Sequence, residues 1–354
     1  PVSLVGRARE TLARLTTSSR PGGSGFAFIA PTAADVLVDA EAALGLSTVF
    51  ACVMNIASDL AASEWQVFER SSDGQRTLLY DEIYDILNDQ PNPEQTAFDV
   101  RLTIVLNALL KDGGYAEISR ARRGKAAELW PIDADRVRFD RLANGAPVYR
   151  VQNYGREESV IPADDMFCIK PLSLDGINAT PIIAFARETI ARANATRDFG
   201  SSIYANGTEM SGVFVPNGEA KIDRAKAEEY STYIREMFAG ARRAHTNFVV
   251  PTGLDYISLG VVPDSAQFIA TEKHLVEDIC RYYRMPLHKV QNLDKATNNN
   301  IEHLGIEYSR DCLTPWGTRM SQEAARKLAP PRRSVSSKKI MTRHDFDWLR
   351  EGDM

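Results

Sequence analysis

The sequence has no run of about 18 or more apolar residues, the minimum for a helix that crosses a bilayer. Its first residues, PVSLVGRARETLARLTTSS, alternate basic and apolar positions without the apolar core of a signal peptide, so neither export nor membrane insertion is expected. Cysteine is scarce. Cys52, Cys168, Cys280 and Cys312 are far apart and form no C-x-x-C pair, which argues against a zinc or redox centre and for small buried hydrophobes in a reducing compartment. No G-x-x-x-x-G-K-[ST] occurs, so the chain lacks the phosphate loop of an ATPase. His274, His288 and His303 flank one polar stretch with Glu272, Asp278 and Glu302 nearby, but none has H-E-x-x-H or comparable ligand spacing. No catalytic residue, metal or cofactor is expected. Positive charge is also in short supply: the net charge is −5. Duplex DNA carries about one charge per 1.7 Å, so a protein that grips many phosphates concentrates basic residues. The balance here argues against tight nucleic-acid binding, though not against handling nucleic acid. Basic clusters at 119–125 (SRARRGK), 241–245 (ARRAH) and 330–339 (PPRRSVSSKK) read as solvated turns or tail.

What the chain does have is length and apolar content. Its 354 residues, 44% of them hydrophobic, allow two or three folded units with a sizeable core. The stretch LSTVFACVMNIASDLAASEW offers Ser47 as an N-cap and puts Val49, Cys52, Val53, Ile56 and Leu60 on one helical face. WQVFERSSDGQRTLLY reads as a strand, a Ser-Asp-Gly turn and a second extended piece, and YDEIYDILND as a short helix ended by QPNPEQT. Thr96 caps the next predicted helix, which stops at Gly113 and Gly114. From Tyr115 to Pro171 the period changes to alternation around RRGK and ANGA turns, predicting meander strands and an α+β first half with an antiparallel sheet. Asp133 and Asp135, a pair of carboxylates, read as acidic turn residues, and Trp65, Trp130 and Trp316 as core or interface anchors.

The second half is organised around long helices. TPIIAFARETIARANATRDFGSSIYANG has Thr180 at N-cap, Pro181 at the first helical position and Gly207 as the stop, a helix of about six or seven turns. A compact insert follows: the strand GVFV, the helix IDRAKAEEYSTYIREMFAG, and the strands NFVVP and LDYISLG. DSAQFIATEKHLVEDICRYYRMP then returns as a helix with Asp264 and Gln267 in capping-box spacing, ending at Pro286. Past VQNLDKATNNNIEHLG, a polar stretch with almost nothing to anchor a core, NIEHLGIEYSRDCLTPWGTRMSQEAARKL is helical again. Pro315 must remove one of its backbone hydrogen bonds and bend or break it.

In this order, STVFACVMNIASDLAASEWQVFE, LLYDEIYDILNDQPNPEQTAFDV, LLKDGGYAEISRARRGKAAELWPID, DGINATPIIAFARETI, DSAQFIATEKHLVEDICRYYRMP and NNNIEHLGIEYSRDCLTPW resemble the successive signature segments of tailed-bacteriophage portal proteins of the lambdoid siphophage lineage, from about Leu46 to Leu328. No single segment is specific; their order and spacing carry the resemblance. It implies an α+β portal fold: an N-terminal arm (1–45), a wing (46–178), a stem helix (179–207), a small α/β clip (208–262), a second stem helix (263–286), a tunnel-loop region (287–300) and a second wing part with a kinked helix (301–354). Relatives continue into a helical crown, so a truncated or absent crown is expected after HDFDWLREGDM. The chain also has NATP where relatives carry a small Gly-Ser pair, which leaves the turn at Gly176 open.

The resemblance further implies a closed ring of copies of this chain, a dodecamer, at the portal vertex of a virion, assembled in the host cytoplasm. Double-stranded DNA would pass through it during packaging and ejection. The DNA-facing tunnel loop would carry Leu293, Asp294, Lys295, Ala296, Thr297, Asn298, Asn299 and Asn300, and the clip would present Arg242 and Arg243 to the motor or connector. The implied partners are the major capsid protein, the terminase large subunit and a head-tail connector or adaptor, with no membrane. An acidic average charge suits a conduit, because six to ten phosphate contacts would give a large, salt-sensitive affinity that stalls sliding. The alternative from another class is a monomeric nucleic-acid-binding or nucleic-acid-processing protein using the RARRGK turn and ARRAH.

Overall fold

The computed structural model describes residues 38–71, 74–121, 124–155, 157–206, 212–216, 254–258, 265–290, 301–329 and 339–349, with Thr32, Glu228, Glu229 and Thr232. The chain divides into two compact units, one of residues 1–190 and 277–354 and the other of residues 191–276.

In the larger unit, helix α1 (Ala40–Leu44) is capped by Asp39 and leads into α2 (Ser47–Ala62). The predicted stripe of α2 is the buried one: Val49, Cys52, Val53, Ile56 and Leu60 are all fully covered. At about 1.5–3 kcal/mol for each large apolar side chain, this face anchors the core. Ser47 is the first helical residue rather than the cap. Leu46 holds the N-cap position and makes no side-chain cap bond.

Strands β1 (Trp65–Arg70) and β2 (Arg76–Leu78) form the expected antiparallel pair. Helix α3 (Glu82–Asn88) begins where the Asp81 carboxylate accepts the N–H groups of Ile83 and Tyr84. The Asn92 side chain then holds the turn within QPNPEQT, accepting from Glu94 and Gln95 and donating to the Leu129 carbonyl. Thr96 caps α4 (Ala97–Leu110) as the sequence predicts, its hydroxyl accepting the Asp99 N–H at 3.2 Å.

The alternating stretch gives β3 (Gly114–Arg120), β4 (Ala126–Ile132), β5 (Val137–Arg141), β6 (Pro147–Val151), β7 (Ser159–Pro162) and β8 (Met166–Ile169). They form two three-stranded antiparallel sheets, β4-β3-β8 and β5-β6-β7, so β8 leaves its sequence neighbour and crosses back to β3. A shared core that includes Tyr115, Tyr149, Val151, Ile161 and Met166 joins the sheets, with the Tyr115 and Tyr149 rings edge to face at 5.9 Å. Asp133 and Asp135 lie at the turn after β4, where both grip Lys111 at 2.6 Å. They are structural carboxylates. Gly114 is forced by close packing: a Cβ there would lie 1.9 Å from the Ile104 carbonyl oxygen.

The turn at Gly176 (φ +75°) is built on Asp175, whose carboxylate accepts N–H groups from Ile177 and Asn178 and the Asn178 amide. Those bonds hold its carboxyl down to about 2. Thr180 pairs with Leu172 as a short bridge instead of capping, and α5 runs over the 25 residues Ile182–Asn206, within the six or seven turns expected. In the smaller unit, β9 (Gly212–Pro216) and β10 (Leu254–Ser258) pair antiparallel, and the rings of Phe199 and Phe268 lie 6.5 Å apart.

Helix α6 (Ser265–Tyr283) ends with Arg284 in the left-handed region (φ 55°), where the Met285 N–H reaches back to the Cys280 carbonyl. A non-glycine residue there costs about 1–3 kcal/mol of backbone strain. After a 3-10 stretch (Leu287–Val290) and the 291–300 segment come α7 (Ile301–Glu307), a π-helical stretch (Tyr308–Leu313) and α8 (Thr314–Lys327). Pro315 therefore does not break the helix. It sits in the first turn of α8, and the wider turn before it closes with both the Thr314 N–H and the Thr314 hydroxyl on the Ser309 carbonyl.

The tail holds one element that the pattern did not predict. Strand β11 (Lys339–His344) returns to β1 in register from Arg70↔Lys339 to Trp65↔His344, giving the sheet order β11-β1-β2.

Candidate functional site: the seat of the 291–300 segment

The polar stretch singled out from the sequence, with Leu293, Asp294, Lys295, Ala296, Thr297, Asn298, Asn299 and Asn300, lies outside the described residues, as do Arg242 and Arg243. The chain on either side of 291–300 is described, and both ends are fastened to α2. On the incoming side, the Asn55 amide donates to the Lys289 carbonyl at 2.8 Å. On the outgoing side, the Tyr308 hydroxyl donates to the Asp59 carboxylate at 2.8 Å. Lys289 links the two, its Nζ lying 3.8 Å from Asp59 Oδ2 and 4.7 Å from the centre of the Tyr308 ring. Asn55 and Asp59 are one helical turn apart, so one polar strip of α2 serves both ends.

The electrostatics of this seat follow from burial. Burial pushes the Asp59 carboxyl above its ordinary range, against the opposing pull of the Tyr308 hydroxyl and of Lys289. Tyr308 is fully buried, and that burial together with the Asp59 charge pushes its phenol well up. Burial, with the Lys289 charge next, lowers His288. The result is an ion pair clamped between α2 and the chain on either side of 291–300.

Beneath it the packing is thiol-rich. Cys52 and Cys280 sulfurs are 3.9 Å apart, and Cys312 lies 3.5 Å from the Tyr283 carbonyl. All four cysteines are free and buried, the state read from their spacing. Contact with Cys280, then burial, pushes the Cys52 thiol far up. Among the described residues no group of three or more His, Cys, Asp or Glu is arranged to hold a metal, and no helix is long and apolar enough to cross a membrane.

Beside the seat is a cleft of about 310 Å³, lined with Arg281 and Arg284 from the end of α6 and with Glu307 and Asp311 from α7 and the π-helical stretch. Arg281 is held by Asp278 and Glu277, and Asp311 by Arg310 at 2.7 Å. Two of the rim charges, Arg281 and Asp311, are thus already paired with neighbours on their own elements.

Sequence reasoning did not single out Asn55, Asp59, Lys289 or Tyr308. A trace was present in the i, i+4 placement of Asn55 and Asp59 beside the apolar stripe of α2, but their partners lie more than two hundred residues away in the chain.

Comparison with known proteins adds a second line. The family model described as "Phage portal protein" matches residues 47–354. The portal protein of Enterobacteria phage HK97 is 24% identical over 323 residues, covering 90% of this chain and 74% of its own length. The probable portal protein of Streptomyces phage phiC31 is 23% identical over 290 residues, 77% of this chain and 62% of its own length. Among solved structures, an HK97 family phage portal protein from Corynebacterium diphtheriae superposes with a TM-score of 0.63 at 14% identity, covering 88% of this chain and 96% of that one. A chain from the neck of a native gene transfer agent particle, computed with C12 symmetry, gives 0.61 at 19% identity, with 98% and 90% covered.

Proposed function

This chain belongs to the phage portal protein family, a family of structural, non-enzymatic proteins, and from that premise we propose that it assembles with copies of itself into a closed ring at one vertex of a phage-like capsid. DNA passes through the ring during packaging and ejection. The observation that carries this reading is the family match over residues 47–354, joined to an α+β fold that superposes on a solved HK97 family portal protein with a TM-score of 0.63.

Within the ring, residues 46–178 and 301–354 form the wing, 179–207 and 263–286 the stem helices, and 208–262 the clip, with 1–45 an N-terminal arm. The region 287–300 is the tunnel loop, and residues Leu293 to Asn300 face the DNA. The seat on α2 supports this assignment, because a loop that touches a moving polymer needs ends that do not move. Partly buried hydrogen bonds of Asn55 and Asp59 hold both ends against α2. Arg242 and Arg243 in the clip meet the terminase large subunit and later the head-tail connector, while the major capsid protein surrounds the wing. A dodecamer is the expected stoichiometry, in keeping with the C12 symmetry computed for the gene transfer agent neck.

The decisive experiment is imaging of the purified chain. Class averages should show closed rings with a central channel, and sedimentation should give one large species. A chain that stays monomeric at micromolar concentration in both measurements overturns the assignment.

A further inference from the structure

Among the described residues, strand β11 is the edge of its sheet and pairs with β1 alone. Its last residue, His344, is only 3% exposed. The imidazole lies against the Trp65 ring at 4.3 Å and stacks on Phe346 at 5.9 Å. Helix α8 comes close through Gly317, where a Cβ would meet the Phe346 ring at 3.1 Å and His344 Cβ at 3.3 Å.

The hydrogen bonds select one protonation state. Ser63 Oγ donates to the Leu60 carbonyl at 2.9 Å and is also 2.8 Å from His344 Nδ1. A hydroxyl has a single proton, so with Leu60 taking it, Nδ1 must be the N–H donor to Ser63. Nε2 is then a bare lone pair, buried and without a partner among the described residues. A second proton would place a donor and a positive charge where no acceptor stands.

The charged groups around the ring give no relief. From α4, Arg101 brings its guanidinium to the Ser63 carbonyl at 2.7 Å and opposes a second cation. Glu64, just before β1, is engaged by the Tyr84 hydroxyl, and Asp345 by the Gln66 amide. Helix α8 faces the ring with Gly317, which carries no charge.

We propose that His344 is an acid-labile clasp: the neutral ring fastens residues 339–346 onto β1, and protonation releases that segment while the rest of the unit stays folded. Release is local because an edge strand gives up one ladder only. Burial, then Arg101, hold the closed imidazole down to about 3, whereas a freed one titrates near 6.5. The folded value is depressed, so the clasp is fully closed above about pH 6.5 and loses strength as pH falls toward 3, by about tenfold per unit. Between pH 7.5 and 4.5 the open-to-closed ratio rises about a hundredfold.

Hydrogen exchange read by mass spectrometry on the assembled protein, corrected for the intrinsic pH dependence, tests this. Peptides covering 339–346 should lose about a hundredfold protection between pH 7.5 and 4.5, while peptides of β3 keep theirs. In His344→Phe, which keeps the stacking and cannot titrate, that pH dependence should vanish. In Ser63→Ala, which removes the Nδ1 partner, opening should begin at higher pH. Unchanged protection of 339–346 in acid overturns the clasp, as does an equal loss in His344→Phe or a simultaneous loss in β3. Should His344→Phe not fold, an opening profile unmoved by Ser63→Ala also overturns it.

Discussion

The Tyr308 hydroxyl donates to the Asp59 carboxylate at 2.8 Å, across 249 residues of chain, with the Lys289 ammonium 3.8 Å from the same oxygen. Removing that donor leaves a partly buried carboxylate short of a partner, which costs about 1–3 kcal/mol. Tyr308→Phe should therefore lower stability in denaturant titrations by that amount at neutral pH. Asp59 is pushed up by burial, so the deficit should shrink in acid as the carboxyl takes a proton. Combining Tyr308→Phe with Asp59→Asn should give a non-additive cycle; simple additivity of the two losses would show that the pair is not coupled.

Asp112 gives a pH signature of the opposite sense to His344. Burial, then the Asp135 charge, push its carboxyl up to about 6. Because the folded value is raised, its contribution is fully present below the unfolded value of about 3.9 and is lost as pH rises through 6. Asp112→Asn should thus stabilise the protein by about 1–3 kcal/mol at pH 7.5 and change little at pH 4. Equal effects at the two pH values would refute the assignment.

Gly114→Ala should be among the most damaging single-methyl additions in the chain. The new Cβ would fall 1.9 Å from the Ile104 carbonyl oxygen, and a backbone atom in the middle of α4 cannot step aside as a side-chain tip can. A loss of about 3 kcal/mol or more is expected, with poor soluble yield. A variant that melts within a degree or two of the parent would mean that α4 and β3 are further apart than described.

The tunnel-loop proposal makes separable demands. Lys295→Ala should affect packaging little, because one lysine beside Asp294 adds little net phosphate attraction in a hydrated channel. Replacing Asn298, Asn299 and Asn300 with arginine puts added positive charge from every copy against the duplex and should slow packaging in a salt-dependent way. Deleting Ala296 to Asn299 should impair packaging or retention of DNA while rings still form, because the packing that fastens the segment lies in Asn55, Asp59, Lys289 and Tyr308. Charge reversal at Arg242 and Arg243 should spare the ring and weaken docking of the motor. Normal packaging by both the arginine and the deletion variants would place the segment outside the channel.

The sequence by itself determined the elements whose signals are local. Thr96 caps the helix it precedes, the apolar stripe of α2 is its buried face, and the alternating stretch from Tyr115 onward forms strands. Each follows from interactions within a few residues, which is what a linear pattern encodes. The order of those elements also sufficed for the resemblance to portal proteins, which the family match bears out. Tertiary structure alone decided which distant segments meet. β8 pairs with β3 and not with β7, and β11 returns to β1 from a tail that reads as basic and solvated. Pro315 is absorbed by a π-helical stretch without breaking its helix. Asn55, Asp59, Lys289 and Tyr308 converge only because α2, the 3-10 stretch after α6 and the π-helical stretch come together in the fold. Strand register and buried polar pairing depend on which apolar faces are covered together, a property of the packed chain that no short window of sequence contains.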